Sequence, residues 1–503
     1  MIDSMSDRAS TLSTRRDSVP ALRAVDFVLV ALLAGVLVPM CLMYAGPAYM
    51  NADTPLFSIM SLQRLTLFIW GQNRFINLVP LLASPLRQPD ANLVVQILIF
   101  GGGFIGLVAL LGWVMARLVL RSERRLDSWL CFAALLFTFF TVASRYAVHV
   151  FVSEGQPYGL SGLLMGGGLA TLLRPTRPGA MTIAAAALAM LLGGGLNPSL
   201  VLVAIGVCSV AFIFWPAIRR QAVVAGVLSV TACGFWLALG SQFPGPRVYS
   251  RFAITDVWAN LGAAWRSLGL GFVWAPLVAC AVLAAIAAVI IIIRPLSEPR
   301  PRWLLLGLCA GFALGWFGLF AENAWVIANG WHFRYFYPVT FVAMLILTAP
   351  PVMLLLKCGS AVRASVVVVL LAACPVLLAA PWQGLDGFPV FAHVAGFVAE
   401  ARRLDVRLVA GSYWSVWPTV FMLSREGPAF GIEAERAKSN RINLLRAVAR
   451  MEADGKRPRS LCVDADLDRC LWQAAFVTGR PWRVAALTCG VNCTLIELAD
   501  EPR

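Results

Sequence analysis

Long apolar runs separated by short polar breaks recur along three quarters of this chain. Runs able to cross ~30 Å of hydrocarbon fall at 26–48, 92–116, 128–146, 158–173, 179–195, 198–217, 221–240, 270–293, 303–320, 338–356 and 364–381. Only Asn197–Ser199 separates the fifth run from the sixth, so that pair is either a tight hairpin or one broken helix. Past residue 382 the pattern changes. "VRLVAGSYW", "RSLCVDA", "WRVAALTC" and "CTLIEL" are short β-rich runs, and "EAERAKSNRINLLRAVARMEADG" has helical apolar spacing that closes on a glycine. The pattern predicts an α-helical polytopic membrane protein of about 11 transmembrane helices. Its parts are an N-terminal segment (1–25), a membrane module (26–381) and a small C-terminal α/β domain (382–503).

Three connections are more than turns. The loop 49–91 is far longer than a chain reversal needs. It offers Thr54 and Pro55 as an N-cap and first helical residue, then apolar positions interleaved with Ser61, Gln63, Arg64 and Thr66. That spacing predicts a helix lying in the membrane interface. The stretch 241–269 is similar, and 321–337 is dense in aromatic and polar groups.

Composition settles the class. Of 503 residues, 59% are hydrophobic and 13% charged, and mean hydropathy is +0.77, outside the range of ordinary soluble domains. The net charge of +15 does not point to nucleic acid, because the basic residues are scattered between apolar runs. Membrane topology and anionic headgroups account for them. With the N-terminus inside, the inner loops carry 17 Lys and Arg and the outer loops 8. Arg8, Arg15, Arg16, Arg23, Arg117, Arg121, Arg124 and Arg125 lead the inner set. The first run reads as a retained span, since it is long and no small-residue cleavage site stands out. The expected location is a bacterial inner membrane, with a cytoplasmic N-terminus and a periplasmic C-terminal domain. Eight cysteines lie in or beside apolar runs. Cys462, Cys470, Cys489 and Cys493 form an even cluster in the exported tail, which reads as two disulfides of open connectivity, with a zinc site as the rival.

The candidate chemistry gathers on one side of the membrane. Asp53, Arg145, His149, Glu154, Glu322, His332 and Arg334 all fall on the outer face by this topology. Ionisable groups at that depth are costly and mark functional sites. The plainer readings are helix capping for Asp53, headgroup anchoring for Arg334, interface or helix packing for His332, Arg145 and His149, and solvent contact for Glu154 and Glu322. The glycine runs Gly101–Phe104 and Met165–Leu169 lie inside apolar spans with no following Lys-Ser/Thr, which reads as close helix packing and not a phosphate loop.

Four passages, "MNADTPLF", "SEGQPYGLSGLLMGGGL", "HFRYFYPVTF" and "GSYWSVWPTVFML", resemble the GT-C-fold glycosyltransferases that use lipid-linked sugars. The plan is similar to that of bacterial aminoarabinose and protein O-mannosyl transferases. The resemblance implies an inverting transfer of a hexose or pentose from a polyprenyl-phosphate donor to a glycan, glycolipid or protein acceptor among the membrane lipids. It implies that Asp53 is the base and that Arg334, with His332, holds the lipid phosphate. Glu154 and Glu322 would bind sugar hydroxyls or assist Asp53, with Arg145 and His149 completing the substrate-binding set. Some members carry two acids in the first loop, where this chain has Asn51 and Asp53. No metal ligand is therefore assigned, and a divalent metal stays open. The alternatives are a lipid-linked-sugar flippase or secondary transporter, and an inactive scaffold. Charged residues are nearly absent from the middle of the spans, and no internal repeat shows, which argues against transport.

Overall fold

The computed structural model describes residues 19–44, 52–152, 157–174, 178–243, 251–254, 256–271, 302–379, 390–486 and 493–499. Apolar sequence becomes helix here because a backbone in hydrocarbon must satisfy its own hydrogen bonds. The membrane module contains α1 (Val19–Tyr44), α2 (Asp53–Gln63), α3 (Leu78–Ala83) and α4 (Pro89–Val114), the last ending in a π turn, Met115–Val119. Next come α5 (Arg125–Val142), α6 (Arg145–Val152), α7 (Tyr158–Leu172), α8 (Ala180–Leu196), α9 (Leu200–Phe214) and α10 (Arg219–Gly240). They are followed by α11 (Val257–Gly271), α12 (Arg302–Ala321), α13 (Ala324–Ala328), α14 (Tyr337–Leu355) and α15 (Ser360–Ala379). Among the described residues, 6 helices are long and apolar enough to cross a membrane, and α8, α9 and Leu29–Leu42 are shorter apolar helices. Large apolar side chains face outward on α9 and α10, such as Ile213, Val227 and Leu237, as expected where lipid is the solvent. Most of the predicted run 270–293 lies outside the described residues.

Two expectations are corrected. The run 128–146 is not one helix. The chain turns extended at Ala143, and the Ser144 hydroxyl accepts the Ala147 N–H to start α6. The helix expected in the interface plane is α2, which is buried at every position from Thr54 to Ser61. It also starts two residues early: Asp53 is its first residue in place of Pro55, and the capping position is Ala52 in place of Thr54.

Glycines let the helices approach closely. A Cβ on Gly103 would lie 2.7 Å from the Leu160 backbone, and one on Gly159 would lie 2.6 Å from the Phe104 backbone. The glycine-rich run of α4 is thus a contact surface for α7.

The C-terminal domain holds α16 (Val390–Arg403), β1 (Leu408–Ala410), α17 (Tyr413–Ser424), β2 (Phe430–Ile432), α18 (Ala434–Ala453), β3 (Arg459–Cys462), α19 (Leu467–Thr478), β4 (Trp482–Ala486) and β5 (Thr494–Leu498). The sheet order is β2-β1-β3-β5-β4, with β1 parallel to both β2 and β3 and β5 antiparallel to β3 and β4. Alternation along the strands covers both faces. Leu408 and Ala410 join one core with Leu444 of α18 and Val477 of α19. Val409 and Leu461 join the large core that contains α17 and the membrane helices. Cys462 and Cys470 are joined by a disulfide; Cys489 lies outside the described residues.

The domain is docked on one end of the bundle by the first loop. The Gln63 amide donates to the Ala429 carbonyl at 2.6 Å, and Asn443 donates to the Gln63 carbonyl at 3.0 Å. Arg64 donates to the Ser439 carbonyl at 2.8 Å. Trp70 meets Trp417 edge-on at 5.8 Å.

Candidate active site

Asp53 opens α2, where the helix dipole favours an anion. Arg334 stands on a one-turn 3₁₀ segment, Phe333–Phe336, that leads into α14. These two groups, distant in sequence, meet: Arg334 Nη1 lies 3.6 Å from Asp53 Oδ2, and the side chains keep 14% and 16% of their surface exposed. At 3.6 Å the pair is an ion pair without tight hydrogen-bond geometry. Arg334 also donates to the Tyr335 hydroxyl at 3.2 Å.

The other carboxylate oxygen, Oδ1, accepts the hydroxyl of Tyr413. Tyr413 follows β1 through Gly411, whose φ of +138° and close approach to Asp464 require a glycine. That turn brings the start of α17 down onto α2. The Arg436 guanidinium stacks on the Tyr413 ring at 4.5 Å. It pairs with Glu433 at 3.5 Å and Glu435 at 2.7 Å. Glu433 is the N-cap of α18 and accepts the N–H groups of Glu435 and Arg436. Burial pushes the Tyr413 phenol well above its ordinary range, and the nearby Asp53 carboxylate adds to this. Burial likewise raises the Glu433 carboxyl, against the pull of Arg436.

The remaining predicted residues divide. His332 lies beside Arg334 in sequence, but its ring is spent on scaffolding: Nδ1 accepts the Arg334 N–H at 3.3 Å and Nε2 meets the Tyr146 hydroxyl at 2.8 Å. Nδ1 as acceptor places the ring proton on Nε2. Burial, and secondly the Arg334 charge, lower its pKa to about 3. His149 is buried against Tyr146, 6.4 Å between rings, and burial lowers its pKa to about 3 as well. Both rings are therefore neutral at physiological pH. Glu322 accepts the Asn260 amide at 2.8 Å, and its carbonyl accepts the Ala253 N–H at 2.8 Å. It clasps the 251–254 segment to the end of α12. Arg145 begins α6, with its side chain outside the described residues, as is Glu154. Among the described residues no three His, Cys, Asp or Glu side chains form a group that could hold a metal ion.

Tyr413, Arg436 and Glu433 were not singled out from the sequence. Tyr413 lies inside the quoted "GSYWSVW" passage, and its signal is the strand–glycine–serine–tyrosine order at a helix start. Arg436 and Glu433 carry only the signal of an acid capping a helix with Arg one turn on.

No family model matches this sequence, and no curated protein matches it. Among solved structures the chain is similar to the crystal structure of ArnT from Cupriavidus metallidurans in the apo state, at 12% identity and a TM-score of 0.40, over 95% of this chain and 98% of that one.

Proposed function

We propose that this protein is a membrane glycosyltransferase that moves a sugar from a polyprenyl-phosphate donor to an acceptor hydroxyl at the outer membrane face. The observation that carries the reading is the meeting of Asp53 and Arg334 at the bundle end beneath the C-terminal domain. The chemistry needs a base and a cation side by side. Asp53 takes the acceptor hydroxyl proton as the oxygen attacks the anomeric carbon. The carbon–oxygen bond to the phosphate breaks on the opposite side, which inverts the anomeric centre. Arg334 holds the departing phosphate through its planar fork of donors. The sequence resemblance to GT-C transferases supports the same reading. The outer end follows from the distribution of basic loops, and a cell-envelope acceptor from that location. Arg145, His149, Glu154, Glu322 and His332 belong to the wider substrate-binding proposal, with His332 acting through the turn that carries Arg334.

The test is turnover in lipid nanodiscs of a panel of undecaprenyl-phosphate monosaccharides, with envelope glycolipid extract as acceptor. Release of undecaprenyl phosphate coupled to a new glycosidic bond is the expected result. Movement of the intact lipid-linked sugar across vesicles without bond formation would replace the reading by a flippase. No turnover, together with unchanged surface glycans in cells lacking the protein, would leave a scaffold.

A further inference from the structure

We infer that the C-terminal domain supplies a positioning relay for the base: Glu433 and Glu435 hold Arg436, Arg436 holds Tyr413, and the Tyr413 hydroxyl holds the Asp53 carboxylate. Its catalytic consequence rests on the transferase reading; the relay itself does not.

Each link is a direct contact. The Arg436 guanidinium bonds to the two glutamates of its own helix start and covers the Tyr413 ring at 4.5 Å. The first loop passes close to it: a Cβ on Gly71, whose φ is +73°, would lie 3.3 Å from the Arg436 side chain. The phenol donates to Asp53 Oδ1 while Arg334 faces Oδ2. Two groups at two oxygens hold the plane of the carboxylate. A base held in one orientation reacts from a near-attack geometry, and a displacement of about 1 Å costs roughly 100-fold in rate.

Domain docking does not need this bond. Gln63, Arg64 and Trp70 already tie the first loop to the domain, and none of these ties is to Asp53. Tyr413 is therefore available for the site. The charged groups facing its ring are Asp53 of α2 and Glu433 and Arg436 at the start of α18. Held protonated by burial and by Asp53, the phenol remains a donor.

The chain has 8 tyrosines, so protein labelled with ¹³C at tyrosine Cζ gives a countable spectrum in nanodiscs, with Tyr413→Phe assigning one signal. In the wild type that signal stays a phenol through about pH 10, where a free phenol is half ionised. Asp53→Asn removes the anion and moves its titration to lower pH. Arg436→Gln removes the cation and moves it to higher pH. A Tyr413 signal indifferent to Asp53→Asn overturns the relay, whatever the enzyme does. With the donor that the panel identifies, Tyr413→Phe lowers kcat roughly 10- to 100-fold and leaves KM for the donor within about twofold. The docking variant Gln63→Ala leaves kcat near the wild type. Equal loss of kcat in Gln63→Ala, or a Tyr413→Phe effect on KM alone, overturns the positioning role. If the wild type turns over no donor, the transferase reading falls while the spectrum still decides the relay.

Discussion

Replacing Asp53 by Asn separates its work as a base from its work as the partner of Arg334. The side chains are isosteric, so α2 and the Tyr413 contact region are preserved. At 3.6 Å the bare attraction of the pair is about 4–5 kcal/mol at an effective dielectric near 20. Side chains that retain 14% and 16% of their surface recover much of that from solvent, so the pair contributes about 1–2 kcal/mol to stability. Loss of general-base catalysis costs more: about 10²- to 10⁴-fold, or about 3–5 kcal/mol in the barrier. Asp53→Asn is therefore expected to lower the midpoint of thermal unfolding only slightly while reducing undecaprenyl phosphate release at least ~100-fold. The double variant Asp53→Asn/Arg334→Gln is expected to be no more active than the single variant. Initial rates in nanodiscs and a thermal melt of the same preparation measure both. A single variant within about tenfold of the wild type, or a double variant that regains activity, refutes Asp53 as the base.

Asp127 and Arg363 form a buried ion pair at the far end of the bundle, 3% and 5% exposed, with Ser122 also donating to Asp127; Arg363→Leu should destabilise by about 3–5 kcal/mol, and Asp127→Leu/Arg363→Met should recover most of this. Gly103→Val forces a Cβ to within 2.7 Å of the α7 backbone, so thermal stability and expression in the membrane should both fall. Reducing Cys462–Cys470, which closes a loop of sequence separation 8, should cost about 2–3 kcal/mol of domain stability, read as earlier proteolysis of the tail under reductant. His149 and His332 have folded pKa values lowered to about 3 against an ordinary 6.5. The unfolded chain therefore binds protons first as pH falls: stability should be flat above about pH 6.5 and decline on acidification toward pH 3, less steeply in His149→Phe.

The membrane helices were legible because lipid leaves the backbone one cheap solution, and apolar runs mark where it is applied. What that pattern hides is a break made by a small polar residue. Ala143 turns extended to end α5 and the Ser144 hydroxyl starts α6, and the run of apolar residues on either side conceals it. The burial of α2 was hidden for a different reason. Its polar positions looked like a water-facing stripe, whereas Ser58 and Ser61 bond to the carbonyls of Pro89 and Pro80, and Gln63 reaches the C-terminal domain. Nothing local to residues 53–63 says that a domain beginning more than three hundred residues later will cover them.

The same asymmetry explains the site. Asp53 and Arg334 were conspicuous as charges against hydrocarbon, where a charge is expensive. Tyr413, Glu433 and Arg436 lie in an ordinary polar domain, where such residues attract no notice until the fold brings them to the seam. A second charged pair stands at the far end of the bundle. There Asp127 and Arg363 are closer together and more deeply buried, and Ser122 adds a further bond. Asp53 and Arg334 are longer, partly open and flanked by donors from two folding units. At this seam the turn at His332 holds Arg334 and the helix start at Tyr413 holds Asp53.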